Sequence, residues 1–378
     1  MNTGPIIQAL VAPLAIGGVS AVLGALISII DKIVNNYGEL VIDINSGKRE
    51  LEIQGGAPLL LTLAEQGIFI PSACGGRGSC GACKVKVVTD IGPHLPTETP
   101  FLEKDEIAEN VRLSCQVKVK ENLQLEIPDS LFNVKQYSGT VERIVDLTHD
   151  IKEVYVKLPE GEEVNFVCGQ YGQFEVPPYD KIRTPTQRAY SMSSSPSDKN
   201  HLEFLIRLVP GGIVTSYVHE HLAEGQKVNV VGPFGDFNVK DTGATMICVA
   251  GGSGMAPFKS IFNHMIETGE IETREVWYFF GARTKKDLFY LDWLDGLDKK
   301  YEKFHIVAAL SEPQPEDDWD GEPGLITDVL ARYLTEKVDR TRELEGYLCG
   351  SPGMLDACMA VMRKFEMNDE KIYYDKFA

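Results

Sequence analysis

The sequence has too little positive charge for a nucleic-acid-binding protein. Its 378 residues include 37 Lys and Arg against 55 Asp and Glu, which gives a net charge of −18. No Lys/Arg-rich arm offsets this balance, and a surface of this sign repels phosphate backbones. Cysteine is also too scarce for a disulfide scaffold, because eight cysteines are spread over the whole chain. We therefore expect no nucleic-acid partner and a reducing compartment.

The amino terminus lacks charged residues. Residues 6–30 contain none, and their only hydrogen-bonding side chains are Gln8, Ser20 and Ser28. A basic segment in front of this stretch is missing and the stretch is long, which argues against a cleaved signal peptide. A buried soluble helix is disfavoured because no polar face is present. About 20 apolar residues suffice to cross a bilayer, so we predict a single-pass membrane anchor helix within residues 1–36.

The chain also lacks the second short cysteine pair that a zinc site prefers. Cys74, Cys80 and Cys83 stand as C-x5-C-x2-C in one glycine-rich loop, and Cys115 follows after a gap of 31 residues. Three thiolates on a loop and one distant thiolate are the usual ligand set of a [2Fe–2S] cluster. Glycines in such a loop let backbone N–H groups point toward the cluster sulfides. These four cysteines are therefore predicted to bind a [2Fe–2S] cluster.

Hydrophobic patterning divides the remainder into three domains. Alternating apolar residues predict β-rich structure over 37–131, with strands at 40–44, 49–53, 84–88, 112–119 and 123–127. Similar alternation over 132–240, with one helix from Val214 to Leu222, predicts an antiparallel barrel. Continuous apolar runs alternate with helices over 241–378, which indicates a parallel sheet covered on both faces.

Two segments of the predicted barrel suit a diphosphate and a ring system. The run Arg188-Ala189-Tyr190-Ser191-Met192-Ser193 offers a guanidinium fork, an aromatic face and hydroxyls. By itself it is equally an ordinary loop. Its value comes from Gly211-Gly212-Ile213-Val214-Thr215-Ser216, where glycines open a helix whose free N–H groups suit a phosphate.

Two glycine-containing segments of the third domain follow buried strands. Gly251-Gly252-Ser253-Gly254-Met255-Ala256-Pro257 is not a complete G-x-G-x-x-G, but it lies between a strand and a helix, where dinucleotide pyrophosphates bind. Cys349-Gly350 occupies the corresponding place after a later strand. Cys349 is either a buried hydrophobic residue or part of a nicotinamide pocket. The basic residues Arg283, Lys285 and Lys286 either receive a 2′-phosphate or are exposed residues at a helix start.

In this order, the cysteine loop, R-x-Y-S, G-G-x-G-x-A-P, C-G-x-P and the aromatic carboxyl terminus resemble ferredoxin:NADP reductase-type flavoproteins fused to a [2Fe–2S] domain. Together with the apolar amino terminus, they resemble the family of F subunits of sodium-translocating NADH:quinone reductases. The resemblance covers nearly the whole chain. It implies a transmembrane helix (1–36), a β-grasp ferredoxin-like domain (37–131), a β-barrel FAD domain (132–240) and a Rossmann-like α/β NADH domain (241–378).

The resemblance also implies roles for individual residues. Ser193 would lie near the reactive edge of the flavin, Cys349 would line the NADH cleft, and Phe377 would cover the flavin ring until nicotinamide displaces it. The other residues implied to bind FAD or NADH are Arg188, Ala189, Tyr190, Ser191, Gly211, Gly212, Val214, Thr215, Ser216, Gly251, Gly252, Gly254, Met255, Ala256, Pro257 and Gly350.

The implied activity is that of an NADH:quinone oxidoreductase. NADH would reduce FAD, and single electrons would pass to the cluster, to membrane subunits of an NADH:quinone reductase-type or Rnf-like complex, and to quinone. Whether sodium translocation is coupled to this is left open. The implied location is the bacterial inner membrane, with the soluble domains on the cytoplasmic side. Two alternatives remain: the reductase of a soluble ring-hydroxylating oxygenase, and a membrane-tethered electron carrier with a vestigial flavin site. The resemblance favours NADH over NADPH.

Overall fold

The computed structural model describes residues 17–28, 37–180 and 182–376. Residues 17–28 form a helix, α1, whose side chains are exposed. Within the described segments, no helix is both long enough and apolar enough to cross a membrane. The rest of the predicted anchor, residues 1–16 and 29–36, lies outside the described residues.

The chain forms two compact units. The first contains the residues up to Pro71 together with Gly76–Asn133, and the second contains Ser72–Gly75 together with the chain from Val134 onward.

The first unit is built on a mixed sheet with the strand order β2-β1-β5-β3-β4. In the central pair, β1 runs antiparallel to β2 and parallel to β5. Strand β2 alternates as the sequence predicts, because Leu51 and Ile53 are buried and their neighbours are exposed. The described strands are β1 (Glu39–Ile44), β2 (Arg49–Gln54), β3 (Lys84–Val87), β4 (Val111–Leu113) and β5 (Leu123–Glu126), and the helices are α2 (Leu59–Glu65) and α3 (Lys104–Ala108), with short 3-10 turns at Thr99–Phe101 and Asp129–Asn133.

The strand predicted over 112–119 is interrupted in the structure, because β4 ends at Leu113 and only an isolated bridge at Lys118 follows it within that range. The backbone N–H groups of Gln116 and Val117 both donate to the carbonyl of Leu113, at 2.8 and 3.2 Å, so the chain turns there. Val117 and Val119 remain buried. Beyond the turn, which carries Cys115, the chain pairs again: Lys118 forms an antiparallel β-bridge with Pro58, and the Val119 N–H donates to the Ala57 carbonyl at 3.0 Å.

The second unit begins with an antiparallel sheet of strand order β10-β7-β6-β11-β8-β9. A further bridge joins Met192, just after β9, to Phe204 of β10, so the two outer strands approach each other as in a barrel. Its elements are β6 (Lys135–Asp146), β7 (Ile151–Lys157), β8 (Tyr171–Val176), β9 (Thr186–Ser191), β10 (His201–Arg207), α4 (Ile213–Glu220) and β11 (Lys227–Phe234).

The remainder of the second unit is a parallel sheet of order β15-β14-β13-β12-β16-β17. Successive residues of β12 belong to opposite cores: Met246 and Cys248 pack on one face, and Ile247 and Val249 on the other. The prediction of a parallel sheet covered on both faces is confirmed. The strands are β12 (Thr245–Gly251), β13 (Val276–Ala282), β14 (Phe304–Leu310), β15 (Glu322–Pro323), β16 (Leu344–Gly350) and β17 (Ile372–Lys376). The helices are α5 (Met255–Thr268), α6 (Glu270–Thr273), α7 (Leu291–Lys300), α8 (Ile326–Glu336) and α9 (Pro352–Lys364), with 3-10 turns at Gly252–Gly254, Lys285–Asp287, Pro315–Asp317 and Asp369–Lys371.

Candidate functional site

Two of the predicted cluster ligands form a close pair of thiols in the first unit. The Sγ atoms of Cys83, beside β3, and Cys115, on the turn after β4, are 3.3 Å apart, and the Cys83 thiol donates to the Cys115 sulfur. This hydrogen bond lowers the pKa of Cys115 to about 6. Because a [2Fe–2S] cluster takes four thiolates over two irons, a pair this close suits ligation of one iron.

The loop that carries the other two predicted ligands has the backbone that such a cluster needs. Four of its glycines have positive φ angles, between +67° and +81°: Gly75, Gly76, Gly78 and Gly81. Side chains rarely adopt that conformation. The N–H of Ala82 points toward the Cys80 sulfur at 3.5 Å. Cys74 is buried and Cys80 is half-buried, and none of the four cysteines is in a disulfide.

No group of three or more His, Cys, Asp or Glu residues placed to hold one metal ion occurs in the described part of the chain. The four predicted cluster ligands therefore do not form such a group in this structure, and the close pair is Cys83 with Cys115.

Strand β9 presents the predicted FAD-binding residues. Arg188, Ala189 and Tyr190 are half-buried, and Ser191 is buried. The Tyr190 ring is held edge-on to Phe174 of β8, with centroids 6.5 Å apart. Its position is therefore fixed by packing, which suits a residue that supports a planar ring.

Two buried polar groups near this strand have no hydrogen-bond partner within the described residues. They are the hydroxyl of Ser193 and the side-chain amide nitrogen of Gln173, on β8. Gln173 pairs with Ala189 across the two strands. Buried polar atoms in native proteins nearly always have a partner. These two donors therefore fit a site that a flavin completes.

Helix α4 begins at the second predicted phosphate segment. Gly212 is its N-cap and provides no side-chain hydrogen bond to the first-turn N–H groups. The Thr215 hydroxyl instead contacts the Val209 and Gly212 carbonyls, at 3.3 and 3.4 Å. Val214 is buried, whereas Gly211 is exposed and Ser216 half-buried. The uncapped N–H groups remain for an anion.

The third-domain glycine segments meet where the strand order of the parallel sheet reverses. From β12 the chain adds β13 and β14 on one side, and then β16 and β17 on the other. Ligands of open α/β sheets bind in the crevice at the carboxyl ends of the strands at this point. Gly251 ends β12 and Gly350 ends β16, and their preceding residues Ala250 and Cys349 are paired.

The crevice requires close approach of the two strand ends. A Cβ on Gly254 would overlap the carbonyl oxygen of Cys349. Helices α5 and α9 start here, and neither N-cap residue, Gly254 or Ser351, makes a side-chain cap. Of the other predicted residues, Gly251 and Gly252 are half-buried, whereas Met255, Ala256, Pro257 and Gly350 are buried. At this point the two helix starts thus offer backbone N–H donors to a ligand, and no N-cap side chain occupies those donors.

Cys349 is fully buried at the end of β16, and burial raises the pKa of its thiol well above the ordinary value. It is therefore a neutral thiol at physiological pH. Phe377, the predicted flavin cover, lies outside the described residues.

A carboxylate connects the barrel to the last strand. The Ser191 hydroxyl donates to Asp375 Oδ2 at 3.1 Å, and Asp375 lies opposite Cys349 in the pairing of β16 with β17. Burial raises the pKa of Asp375 even though this hydrogen bond opposes the shift. A cavity of about 240 Å³ borders Asp375 and is lined also by Tyr171, Phe237 and Tyr373. A predicted FAD residue and a predicted NADH residue thus flank one acidic group.

Three family profiles match the chain in the order of these sites. They are the 2Fe-2S iron-sulfur cluster binding domain over residues 42–120, the oxidoreductase FAD-binding domain over 138–239 and the oxidoreductase NAD-binding domain over 248–360. The predicted cofactors, a [2Fe–2S] cluster, FAD and NADH, are confirmed at the level of these domains.

Curated relatives match nearly the full chain. The F subunit of the Na(+)-translocating NADH-quinone reductase of Neisseria meningitidis is 37% identical and covers 90% of this chain and 92% of its own length. The protein of the same name from Idiomarina loihiensis is 38% identical with the same coverage. This chain belongs to the family of Na(+)-translocating NADH-quinone reductase F subunits. The predicted resemblance is confirmed.

Solved structures agree with the fold of this member of the family. The Amycolatopsis cytochrome P450 reductase GcoB has a TM-score of 0.72 and 26% identity, covering 89% of this chain and 98% of its own. The ferredoxin reductase in carbazole 1,9a-dioxygenase has a TM-score of 0.67 and 26% identity, covering 90% and 99%.

Two functional candidates, Gln173 and Asp375, are not evident from the sequence. Gln173 lies beside Ala189 in the predicted FAD site, and Asp375 lies beside Ser191 and Cys349, but neither stands in a motif. Asp375 stands in the run Tyr373-Tyr374-Asp375-Lys376, whose charged residues gave no sign of a strand. Its place opposite Cys349 could have been found only from the topology of the sheet.

Proposed function

We propose that this chain is the NADH-oxidising, electron-input flavoprotein of a sodium-translocating NADH:quinone reductase. The observation that carries the proposal is the succession of three cofactor domains in a chain that matches curated F subunits over 90% of its length. When bound, FAD accepts a hydride from NADH and releases electrons singly, and the [2Fe–2S] cluster carries them one at a time. The residues of the chain bind, orient and shield these groups.

The β12/β16 crevice is the proposed NADH site. The N–H groups at the start of α5, following Gly251, Gly252 and Gly254, would bind the pyrophosphate, because no side chain caps them. Gly350 leaves room beside them. The neutral thiol of Cys349 would line the nicotinamide pocket without adding charge, and Phe377 would cover the flavin until NADH arrives.

Strand β9 and the start of α4 form the proposed FAD site. Arg188 would bind the diphosphate and Tyr190 the ring system, while Ser191 and Ser193 offer hydroxyls to the polar edge of the flavin. The uncapped N–H groups between Gly211 and Ser216 would hold the pyrophosphate. The unpartnered Ser193 hydroxyl supports this assignment.

Cys74, Cys80, Cys83 and Cys115 are the proposed cluster ligands. The Cys83–Cys115 pair would bind one iron, and the two loop cysteines would bind the other. Support comes from the 3.3 Å separation of the pair and the position of all four within the matched cluster-binding domain.

Membrane attachment is part of the proposal. The uncharged stretch 6–30 would anchor the chain by a single span in the bacterial inner membrane, with the three domains on the cytoplasmic side. Other subunits of the complex, or of an Rnf-like assembly, would take the electrons onward to quinone. Support comes from the sequence of this stretch and from the name of the relatives, which designates one component of a larger reductase.

A second candidate function is the reductase component of a ring-hydroxylating oxygenase. It is favoured by the similarity to the reductase in carbazole 1,9a-dioxygenase, which covers 90% of this chain. That function needs no membrane anchor. The two functions therefore differ in where the native protein is found and in what it binds.

The first experiment measures NADH oxidation by the full chain in mild detergent. We expect bound flavin and a [2Fe–2S] visible spectrum, and reduction of both ferricyanide and a quinone analogue. NADH should give a higher kcat/KM than NADPH. If NADH reduced neither ferricyanide nor the quinone analogue, the proposed function would be overturned. A cluster spectrum without flavin would indicate a vestigial flavin site.

The second experiment separates the two candidate functions. Native cells are fractionated, and the chain is extracted from membranes and purified with its partners. We expect it in the membrane fraction, together with membrane subunits. Recovery entirely in the soluble fraction, in complex with an oxygenase, would support the second candidate instead.

A further inference from the structure

One lysine of the NADH domain is held by two carboxylates of the flavin barrel. Lys259 lies in the second turn of α5, and its Nζ atom is 2.6 Å from Glu153 Oε1 and 2.8 Å from Glu203 Oε2. Glu153 belongs to β7 and Glu203 to β10, which are neighbouring strands. A single ammonium group therefore joins α5 to two barrel strands at once.

This ion cluster is buried. The side chain of Glu153 is 4% exposed, and those of Lys259 and Glu203 are 15% and 17% exposed. Burial alone would raise the pKa of Glu153, but Lys259 outweighs this effect and keeps that pKa below its ordinary value. The Glu153 carboxylate is therefore ionised in the folded protein.

The surroundings restrict the lysine further. Its ammonium lies 5.1 Å from the centre of the Tyr290 ring and 5.7 Å from that of Tyr155. Tyr290 also donates its hydroxyl to Glu153. Its backbone has φ +59°, an unfavourable conformation for a non-glycine residue. Well-packed apolar residues usually stabilise an interface at least as well as buried ions. A role in fixing geometry therefore accounts for this cluster better than a role in stability.

Glu203 and Lys259 are each connected directly to one of the two proposed cofactor sites. On the flavin side, the N–H of Ser193 donates to the Glu203 carbonyl at 2.8 Å, so the residue that holds Lys259 also holds Ser193. On the NADH side, Lys259 stands five residues after Gly254 on the same helix, and Gly254 abuts the Cys349 carbonyl. A short, stiff path thus runs from Ser193 through Glu203 and Lys259 to the glycine turn.

We propose that Lys259 is a positioning residue for hydride transfer, which through Glu153 and Glu203 fixes the NADH-binding turn relative to the flavin strand. The inference rests on the proposed function, since it concerns the distance between nicotinamide and flavin. Reacting atoms in a productive complex lie about 3–3.5 Å apart, and a displacement of about 1 Å can cost roughly 10²-fold in rate. A link made of directional, charge-assisted hydrogen bonds restricts such displacements.

The test compares Lys259→Met with Lys259→Arg in the full chain. Methionine keeps an unbranched stem of similar length but removes the charge, and arginine keeps a donor to both carboxylates. Lys337→Met, an exposed lysine at the end of α8, is the matched control. The readout is the anaerobic, single-turnover rate of flavin reduction at saturating NADH, expressed per bound flavin. The dissociation constant of NADH and the isotope effect with NADH deuterated at the transferred position are measured alongside it.

For Lys259→Met we expect the rate to fall by roughly 10- to 100-fold, with a larger isotope effect and a much smaller change in NADH affinity. Lys259→Arg should recover most of the rate, and Lys337→Met should match the wild type. Glu203→Gln, which keeps the backbone contact to Ser193 but weakens one partner of the lysine, should show a smaller fall.

An unchanged rate per bound flavin in Lys259→Met and Glu203→Gln would overturn the inference, even if either variant were less stable. An equal loss in Lys259→Arg would overturn it as well. A wild-type chain that binds FAD but is not reduced by NADH would instead overturn the proposed function, and this inference with it.

Discussion

At the scale of single residues, the first unit contains a buried ion pair between Glu98 and Arg112. The side chains of Glu98 and Arg112 are 0% and 4% exposed and meet at 2.7 Å. Glu98 also accepts from the Leu95 and Leu113 N–H groups, at 2.9 and 3.0 Å. The same carboxylate thus ties the loop before α3 to strand β4, which leads directly into Cys115. Burial would raise the pKa of Glu98, but the hydrogen bonds from Arg112 and the backbone outweigh it and lower that pKa.

We predict that Glu98→Gln destabilises the first unit by about 3–5 kcal/mol at pH 7, because it leaves Arg112 buried without a counter-charge. The measurement is thermal unfolding followed by loss of the cluster absorbance. A carboxyl whose pKa is lowered by folding adds stability above its ordinary pKa of 4.5, and this stability is lost as pH falls through the lower, folded value. The gap between wild type and variant should therefore be full at pH 7 and narrow below about pH 4.5.

Two further variants check this prediction. Glu109→Gln removes an exposed partner that lies 3.9 Å from Lys86, and it should change the stability far less than Glu98→Gln does, because solvent screens the pair. The double variant Glu98→Gln/Arg112→Met removes both charges, so it should recover part of the loss. If Glu98→Gln were as stable as Glu109→Gln, the Glu98–Arg112 ion pair would not contribute to the stability of the first unit.

At the scale of elements, the NADH crevice depends on how closely two strand ends approach. Gly254 has φ −60°, so its backbone tolerates any residue, but a Cβ would overlap the Cys349 carbonyl oxygen. We predict that Gly254→Ala pushes the β12 and β16 ends apart and lowers kcat/KM for NADH by roughly 10²-fold, with flavin content unchanged. Steady-state kinetics with NADH and a flavin assay measure both quantities.

Gly296→Ala is the control for this substitution. Gly296 lies in the middle of α7 with no atom within 4 Å of an added Cβ. It should leave kcat/KM unchanged and stabilise the helix by up to about 1 kcal/mol. Equal kinetics for the two variants would mean that the strand ends need not touch.

Elements with strong periodicity could be predicted from the sequence, and elements defined by their neighbours could not. The continuous apolar runs of β12, β13 and β14 identify buried parallel strands, because both faces of such strands are covered. Strand β17 has exposed charged and aromatic residues at the sheet edge, and only its pairing with β16 makes it a strand. The turn at Cys115 lies within an alternating apolar pattern, so the sequence alone does not show it either. The residues that these elements carry, Asp375 above all, therefore needed the structure.

Predictability in the site follows the same division. The cysteine and glycine spacings are local, because a ligand loop or a phosphate-binding turn is formed by neighbours in the chain. The Glu153, Glu203 and Lys259 cluster joins residues up to 106 positions apart, and none of the three stands in a recognisable motif. Such contacts can be found only after the strands have been paired.

At the scale of the whole molecule, the first unit has a core of its own. Its buried apolar residues, from Ile42 to Ile127, pack among themselves. The barrel and the parallel sheet, in contrast, share a core, since Ile151 and Leu205 of the barrel pack with Phe258 and Tyr278. Three of the four predicted cluster ligands, Cys80, Cys83 and Cys115, belong to the first unit, whereas the predicted FAD- and NADH-binding residues belong to the second.

We predict that Cys83→Ser abolishes the cluster but leaves FAD content and the rate of flavin reduction by NADH unchanged. The Cys83 sulfur belongs to the close pair with Cys115, so its loss removes half of one iron's thiolates, whereas the β9, α4 and β12 sites keep all their residues. Electron paramagnetic resonance of the reduced protein measures the cluster, and anaerobic stopped-flow absorbance measures the flavin. Cys358→Ala removes a buried cysteine of α9 that is no predicted ligand, so it should keep the cluster signal. Loss of flavin from Cys83→Ser alone would show that the two units fold as one and would contradict the separation of their cores.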